Sequence, residues 1–304
     1  MVARTVLGDL DPARLGVTDA HDHLFFRSPL LSGQELDDAG AAAAELRAFA
    51  DLGGATVVQW TPAGMGRRAD DLAALARQTG VNVIAATGLH QAAHYEPAGL
   101  GQLTAGLADR FVREITSGID GSGGVRAGLI KVAGEFHHVD DHGRRAMAAA
   151  AEAHRATGAP IAVHLELGTG ALDVLDLLCR ELGVPPAAVV LGHLNRSPDQ
   201  RVHREVAEAG AFVAFDGPSR ANHATDWRLL DSIAAVAESG HGDQVLLGAD
   251  TTTARARAAT GEGPGMPFLL RSLRPRIERE LGEALAHAIF VANPARALAM
   301  RATA

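Results

Sequence analysis

The sequence holds one cysteine and one lysine, and no apolar run long enough to cross a membrane. The single cysteine, Cys179, excludes an internal disulfide and any cysteine-rich zinc site. No stretch approaches the roughly 20 apolar residues of a membrane span. The start, Met1 to Asp9, lacks the apolar core of a signal peptide. These absences predict a cytoplasmic protein. Basic residues are also in deficit: 28 against 36 acidic ones, a formal charge of −8. That balance argues against nucleic acid as a partner and against an anionic membrane surface.

The lysine deficit is the sharpest. Of the 28 basic residues, 27 are arginine and one is Lys131. Arginine stays protonated, whereas lysine loses its proton when it is buried or put to chemical use. A chain that uses arginine everywhere else leaves this one position to be explained.

What is present is an ordinary globular composition, 304 residues with 47% hydrophobic and 21% charged, enough to bury a large core. Short β-like runs at 16–24, 55–60, 81–87, 127–133, 160–166, 188–194, 211–216 and 244–250 alternate with helical stretches. The helices fall near 38–52, 68–79, 104–117, 141–157, 170–182, 199–209, 226–239 and 267–286. The β-like runs are nearly continuous in apolar residues, as parallel strands covered on both faces are. Eight such units without a break in composition predict one α/β domain over residues 1–304, a (β/α)₈ barrel. A doubly wound open sheet is the alternative. Gly121 to Gly124 reads as a turn, and Gly168-Thr169-Gly170 as a helix start.

In a barrel, reactive side chains come from the C-terminal ends of the strands. Five of the eight runs deliver such a group there. The first ends in His21-Asp22-His23, the fourth carries Lys131, the fifth ends in His164, the sixth in His193 and the eighth in Asp250. Residues two apart on a strand share a face, so His21 and His23 can hold one divalent cation together. His164 and His193, from adjacent strands, can hold a second, and neutral imidazole suits zinc. Asp250 adds an oxygen ligand and a proton acceptor. Two cations need an anionic bridge. A neutral Lys131 amine that adds carbon dioxide becomes a carbamate with one oxygen for each, which arginine cannot do. Flanking Ile130 and Val132 would lower its pKa by desolvation.

With these residues in place, the sequence resembles the phosphotriesterase-like family of the amidohydrolase superfamily over nearly its whole length. The resemblance rests on Thr18 to Leu24, Gly66-Arg67, Ala86-Thr87-Gly88, Gly128 to Val132, Val163-His164, Gly192-His193, Gly248-Ala249-Asp250 and Asn293 to Arg296. It implies a (β/α)₈ barrel with two divalent metal ions, usually zinc, bridged by a carboxylated lysine and a hydroxide. It implies the ligand set His21, His23, Lys131, His164, His193 and Asp250, with His21, His23 and Asp250 on one ion. Asp250 and Lys131 are then the catalytic residues. Dimers are common in the family, which makes a homodimer an expectation.

The stretches 192–199, 216–220 and 263–266 look most like the sugar-lactonase branch, which includes hydrolases of phosphorylated furanose lactones. Three features depart from family patterns. Arg196 stands where phosphotriesterases carry a proton-relaying aspartate. No second lysine is left for a phosphate. Gln59 and Trp60 stand where an aspartate is common. Arg196, Arg220 and Arg255 are candidates to hold an anionic substituent. Tyr95, Trp60 and His90 are further candidate substrate contacts, alongside loop residues His94, His137 and His138. The expected reaction is lactone hydrolysis on a small molecule, with Asp250 moving the proton. A phosphotriesterase or an amidohydrolase, and a metal-stabilised binding protein without activity, are the alternatives.

Overall fold

The structure, a computed structural model, describes residues 1–218, 223–259 and 262–300. An antiparallel hairpin, β1 (Ala3–Thr5) and β2 (Gly8–Leu10), precedes the repeating units. Eight parallel strands follow among the described residues: β3 (Thr18–Asp22), β4 (Thr56–Gln59), β5 (Asn82–Gly88), β6 (Leu129–Gly134), β7 (Ile161–Leu165), β8 (Val189–Leu191), β9 (Phe212–Asp216) and β10 (Val245–Gly248). Each pairs with its neighbour in the chain, in the order β3 to β10. The first and last strands meet at a seam. There Asp250 N–H donates to the His21 carbonyl at 2.9 Å, and Ala249 N–H donates to Asp19 Oδ1 at 3.1 Å. The sheet is a nearly closed (β/α)₈ barrel, not a doubly wound open sheet.

Two apolar layers follow from the period of the strands. On β5, Val83 and Ala85 pack outward against the helices, while Ile84 and Ala86 pack inside the barrel. On β9, Phe212 and Ala214 point inward and Val213 and Phe215 outward. Following each inward series toward the C-terminal end reaches Lys131 after Leu129, His164 after Ala162, and Asp216 after Ala214. The mouth of the barrel is therefore polar because the inward residues change character toward the C-terminal ends of the strands. Strand β3 shifts register between Asp19 and Asp22. Two glycines allow close approach here. A Cβ on Gly88, at φ +120°, would lie 1.9 Å from the Lys131 carbonyl oxygen, and one on Gly248 would lie 2.5 Å from the His21 backbone.

The expected helices are present, with breaks the composition hides. The third is Leu107–Thr116, and a further helix that was not expected, Pro97–Thr104, precedes it across Gly106 at φ +61°. The last stretch breaks at Gly282, φ +99°, between Arg274–Leu281 and Glu283–His287. The β1–β2 hairpin was not anticipated, since three-residue strands carry no readable alternation. No helix among the described residues is long and apolar enough to cross a membrane.

Candidate metal centre

Four histidines, two aspartates and the lone lysine converge at the C-terminal mouth of the barrel, all but His164 deeply buried. His21, His23 and Asp250 each place a donor atom within 4.8 Å of the others, and so do His21, His193 and Asp216. Asp250 Oδ1 lies 3.4 Å from His21 Nε2 and 3.6 Å from His23 Nε2. The His164 ring sits 4.4 Å from that of His193, centre to centre. Two of these residues pay a backbone cost, as functional positions often do: His193 and Asp250 adopt left-handed φ values of +63° and +52°.

Hydrogen bonds fix which ring nitrogen carries the proton. The His21 Nδ1–H donates to Asp216 Oδ1 at 3.1 Å, and the His193 Nδ1–H to Asp216 Oδ2 at 2.7 Å. The His23 Nδ1 lies 2.7 Å from Thr61 Oγ1. The Thr61 hydroxyl spends its proton on the Phe25 carbonyl, so it accepts from His23. Each of the three rings thus turns its Nε2 lone pair toward the centre. The His193 Nε2 is buried with no hydrogen-bond partner. An orphaned buried ring nitrogen beside carboxylates, with its other nitrogen pinned to one of them, fits a divalent cation. His164 differs: its Nε2 faces Glu166 Oε2 at 3.0 Å.

The electrostatics agree with that fit. Burial lowers the His23 pKa to about 4 and the His164 pKa to about 3, so both rings are neutral and able to ligate. Burial also opposes charge on His193, but Asp216 and Asp250 outweigh it and raise its pKa. A cation entering there would replace a proton. Burial pushes Asp250 and Asp216 upward too. The surrounding histidines and Arg196 more than offset it and hold both carboxyls below the usual range. Burial brings the Lys131 amine down to about 7, against the opposing pull of Asp250 and Glu166. A large fraction of it is neutral near pH 7.

The candidate substrate residues fall at different depths. Arg196 is buried and donates from Nη2 to Asp250 Oδ2 at 2.9 Å, with Asp216 Oδ2 at 3.3 Å. Its Nη1 is buried without a partner. Trp60 stacks behind His21, rings 3.9 Å apart, and donates its indole N–H to the Ala20 carbonyl. Gln59 pins the loop after β3 by accepting from Leu24 N–H and donating to the Phe25 carbonyl. His90 is buried between His94 and His164, and its N–H donates to the Tyr95 hydroxyl at 2.8 Å. The Tyr95 ring also lines a cleft of about 650 Å³ together with Arg27, Ser28, His94 and Arg110. Arg255 is 84% exposed and faces Glu262 at 3.9 Å. Arg220 lies outside the described residues. His137 and His138 sit in the loop after β6, where the His137 N–H donates to Thr169 Oγ1.

Asp216, Thr61, Gln91 and Glu166 were not singled out from the sequence. Asp216 had a readable signal, an acid closing the apolar run Phe212 to Phe215 in the inward register. Glu166 had the same i, i+2 relation to His164 that His23 has to His21. Thr61 and Gln91 had none, because their roles depend on neighbouring strands.

Comparison with known proteins gives the family. The signature of the phosphotriesterase family matches residues 1–298. The chain belongs to the phosphotriesterase family. It is 32% identical to a phospho-furanose lactonase of Mycoplasmopsis synoviae, over 82% of this chain and 76% of that protein. It is 30% identical to the Escherichia coli phosphotriesterase homology protein, over 87% and 91% of the two. The crystal structure of a Listeria monocytogenes lactonase superposes with a TM-score of 0.93, at 28% identity, over 99% of this chain and 100% of that one. This family member is a metal-dependent hydrolase acting on a small molecule.

Proposed function

We propose that the protein is a binuclear metal-dependent lactonase acting on sugar-type lactones. The observation that carries this is the cluster of four histidines, Asp250 and a desolvated lysine at one barrel mouth, in a chain related to lactonases. His21, His23 and Asp250 would hold one cation, and His164 and His193 the other. Carboxylated Lys131 would bridge them, and zinc is the metal the donor set favours. When bound, two such cations lower the pKa of water to give a nucleophile at neutral pH and polarise a carbonyl.

This chain's residues supply the rest. Asp250 presents Oδ1 to the histidines, while Arg196 holds Oδ2. A carboxylate so fixed takes the proton from attacking water and returns it to the ring oxygen as the acyl C–O bond breaks, yielding a hydroxy acid. Arg196, with Nη1 unpartnered, is the candidate contact for a substrate oxygen or anionic group. Tyr95 lines the cleft toward which a sugar would extend, with Arg27 and Arg110 on its walls. His90 and Trp60 shape the floor by packing against His164 and His21. Arg220 remains a candidate for the substrate's anionic end.

Metal analysis and a substrate panel test this reading. The purified protein is expected to carry two divalent ions per chain and to hydrolyse furanose lactones, with and without phosphate, faster than paraoxon or simple amides. Faster paraoxon turnover would move the assignment to phosphotriesters. Inactivity on every ester, lactone and amide with both cations bound would leave a binding protein. Lys131→Arg is expected to lose metal and more than about 100-fold in turnover, beyond the cost of removing a residue that merely orients a ligand.

A further inference from the structure

Three of the four histidines have their outward nitrogen, Nδ1, held by an oxygen acceptor, Asp216 or Thr61. His164 does not share that arrangement. Its hydrogen bond is made through Nε2, to Glu166 Oε2 at 3.0 Å. Glu166 follows His164 by two residues, on the same side of the chain as β7 ends. It is itself held in place. Gln91, in the loop after β5, donates from Nε2 to the Gly134 carbonyl at 2.9 Å, with Glu166 Oε2 and Glu135 Oε2 each at 3.2 Å. Gln91 is buried and anchored to β6 backbone, so the carboxylate it meets has a fixed address.

We propose that Glu166 is a positioning residue for the second cation, holding the His164 proton on Nε2 so that the Nδ1 lone pair is the one offered to metal. The proposal rests on the binuclear reading above and deepens it. A carboxylate only accepts, so a neutral His164 facing it carries its proton on Nε2. Glu166 then does for His164 what Asp216 does for His193, with the two ring nitrogens exchanged. A carboxylate in this place fixes the tautomer and the ring orientation and raises the basicity of the ligating nitrogen. The orientation it imposes is specific to one site. Asp216 accepts from two of the rings, His21 and His193, whereas the one ring that Glu166 meets in a hydrogen bond among the described residues is that of His164.

The test combines cation titration with nitrogen spectroscopy. Metal-free wild type, Glu166→Ala and Glu166→Gln are titrated with Zn²⁺ in bicarbonate buffer, and His ¹⁵N shifts are recorded before and after. In wild type the metal-free His164 is expected to carry its proton on Nε2, and two cations are expected to bind. In Glu166→Ala the second step is expected to weaken about 10- to 100-fold with the first unchanged, and the His164 proton to redistribute toward Nδ1. Glu166→Gln keeps a carbonyl acceptor in the same volume and is expected to recover most of the loss. An Ala variant with an unchanged or tighter second step would overturn the proposal, since the carboxylate would then be idle or competing. A His164 proton on Nδ1 in metal-free wild type would overturn it as well. If Glu166→Ala fails to fold, Glu166→Gln decides: an acceptor-dependent proton on Nε2 supports the proposal, and its absence overturns it. Wild type that binds a single cation would instead overturn the binuclear reading on which the proposal stands.

Discussion

At the scale of single residues the centre depends on groups that hold others still. Asp216, at the end of β9, is buried and accepts from two rings at once, His21 on β3 and His193 just after β8. Removing it should therefore disturb both cations, unlike removal of Glu166. In Asp216→Ala we expect each affinity to fall about 10- to 100-fold, measured by chelator competition. Asp216→Asn offers one carbonyl oxygen for two N–H donors, so it should spare one site more than the other. Lys131 sets a pH dependence of a different kind. Only the neutral amine adds carbon dioxide, and burial brings this amine down to about 7. The neutral fraction rises as pH rises through that value. Reloading of metal-free protein with Zn²⁺ and bicarbonate should therefore be slow and incomplete at pH 5.5 and complete at pH 8, read as metal bound per chain. A flat profile across that range would remove Lys131 from the bridge.

At the scale of elements, one helix governs the loop that follows Asp250. Glu45, buried on the helix Ala39–Ala50, accepts three backbone N–H groups: Ala258 at 3.1 Å and Met266 at 3.2 Å on Oε1, and Ala259 at 2.8 Å on Oε2. Gly265, at φ +55°, comes so close that a Cβ would lie 1.9 Å from Oε1. Arg257, in the same loop, is buried and donates to the Leu24 carbonyl. Glu45→Ala would strand the buried Met266 N–H at about 1–3 kcal/mol and release the part-buried Ala258 and Ala259 N–H groups at a lower cost. We expect a lower denaturation midpoint and new protease cleavage within 251–266, with metal content kept. Cleavage elsewhere, or none, would show that the loop is held by other contacts. None of this was legible in the sequence, where Glu45 is one acid in an alanine-rich helix. The strands were legible because parallel strands covered on both faces read as nearly continuous apolar runs between helical stretches. The metal-ligating candidates were legible because they stand toward or just past the C-terminal ends of apolar β-like runs. Thr61 and Gln91 act across strands, and a linear pattern does not record which strand lies beside which.

At the scale of the whole molecule, the candidate centre sits where the barrel closes. The β3–β10 seam is tied at its functional end by Asp250 N–H to the His21 carbonyl, and the same two residues face each other as donors. A cation between them would act as a clasp across the seam as well as a reagent. Cations that bind only the folded chain stabilise it, by about 2.7 kcal/mol each at 100 times the dissociation constant. Chelation should therefore lower Tm, and Zn²⁺ with bicarbonate should restore it. The effect should also be local. Hydrogen exchange after chelation is expected to rise at 19–24, 192–197 and 248–253, which flank the seam and the His193 turn. Protection of the barrel floor, Val83, Ile130 and Val245 among its buried strand residues, should persist. A uniform rise in exchange would mean that the metals hold the entire barrel together. No change at the seam would place the first cation away from His21 and Asp250.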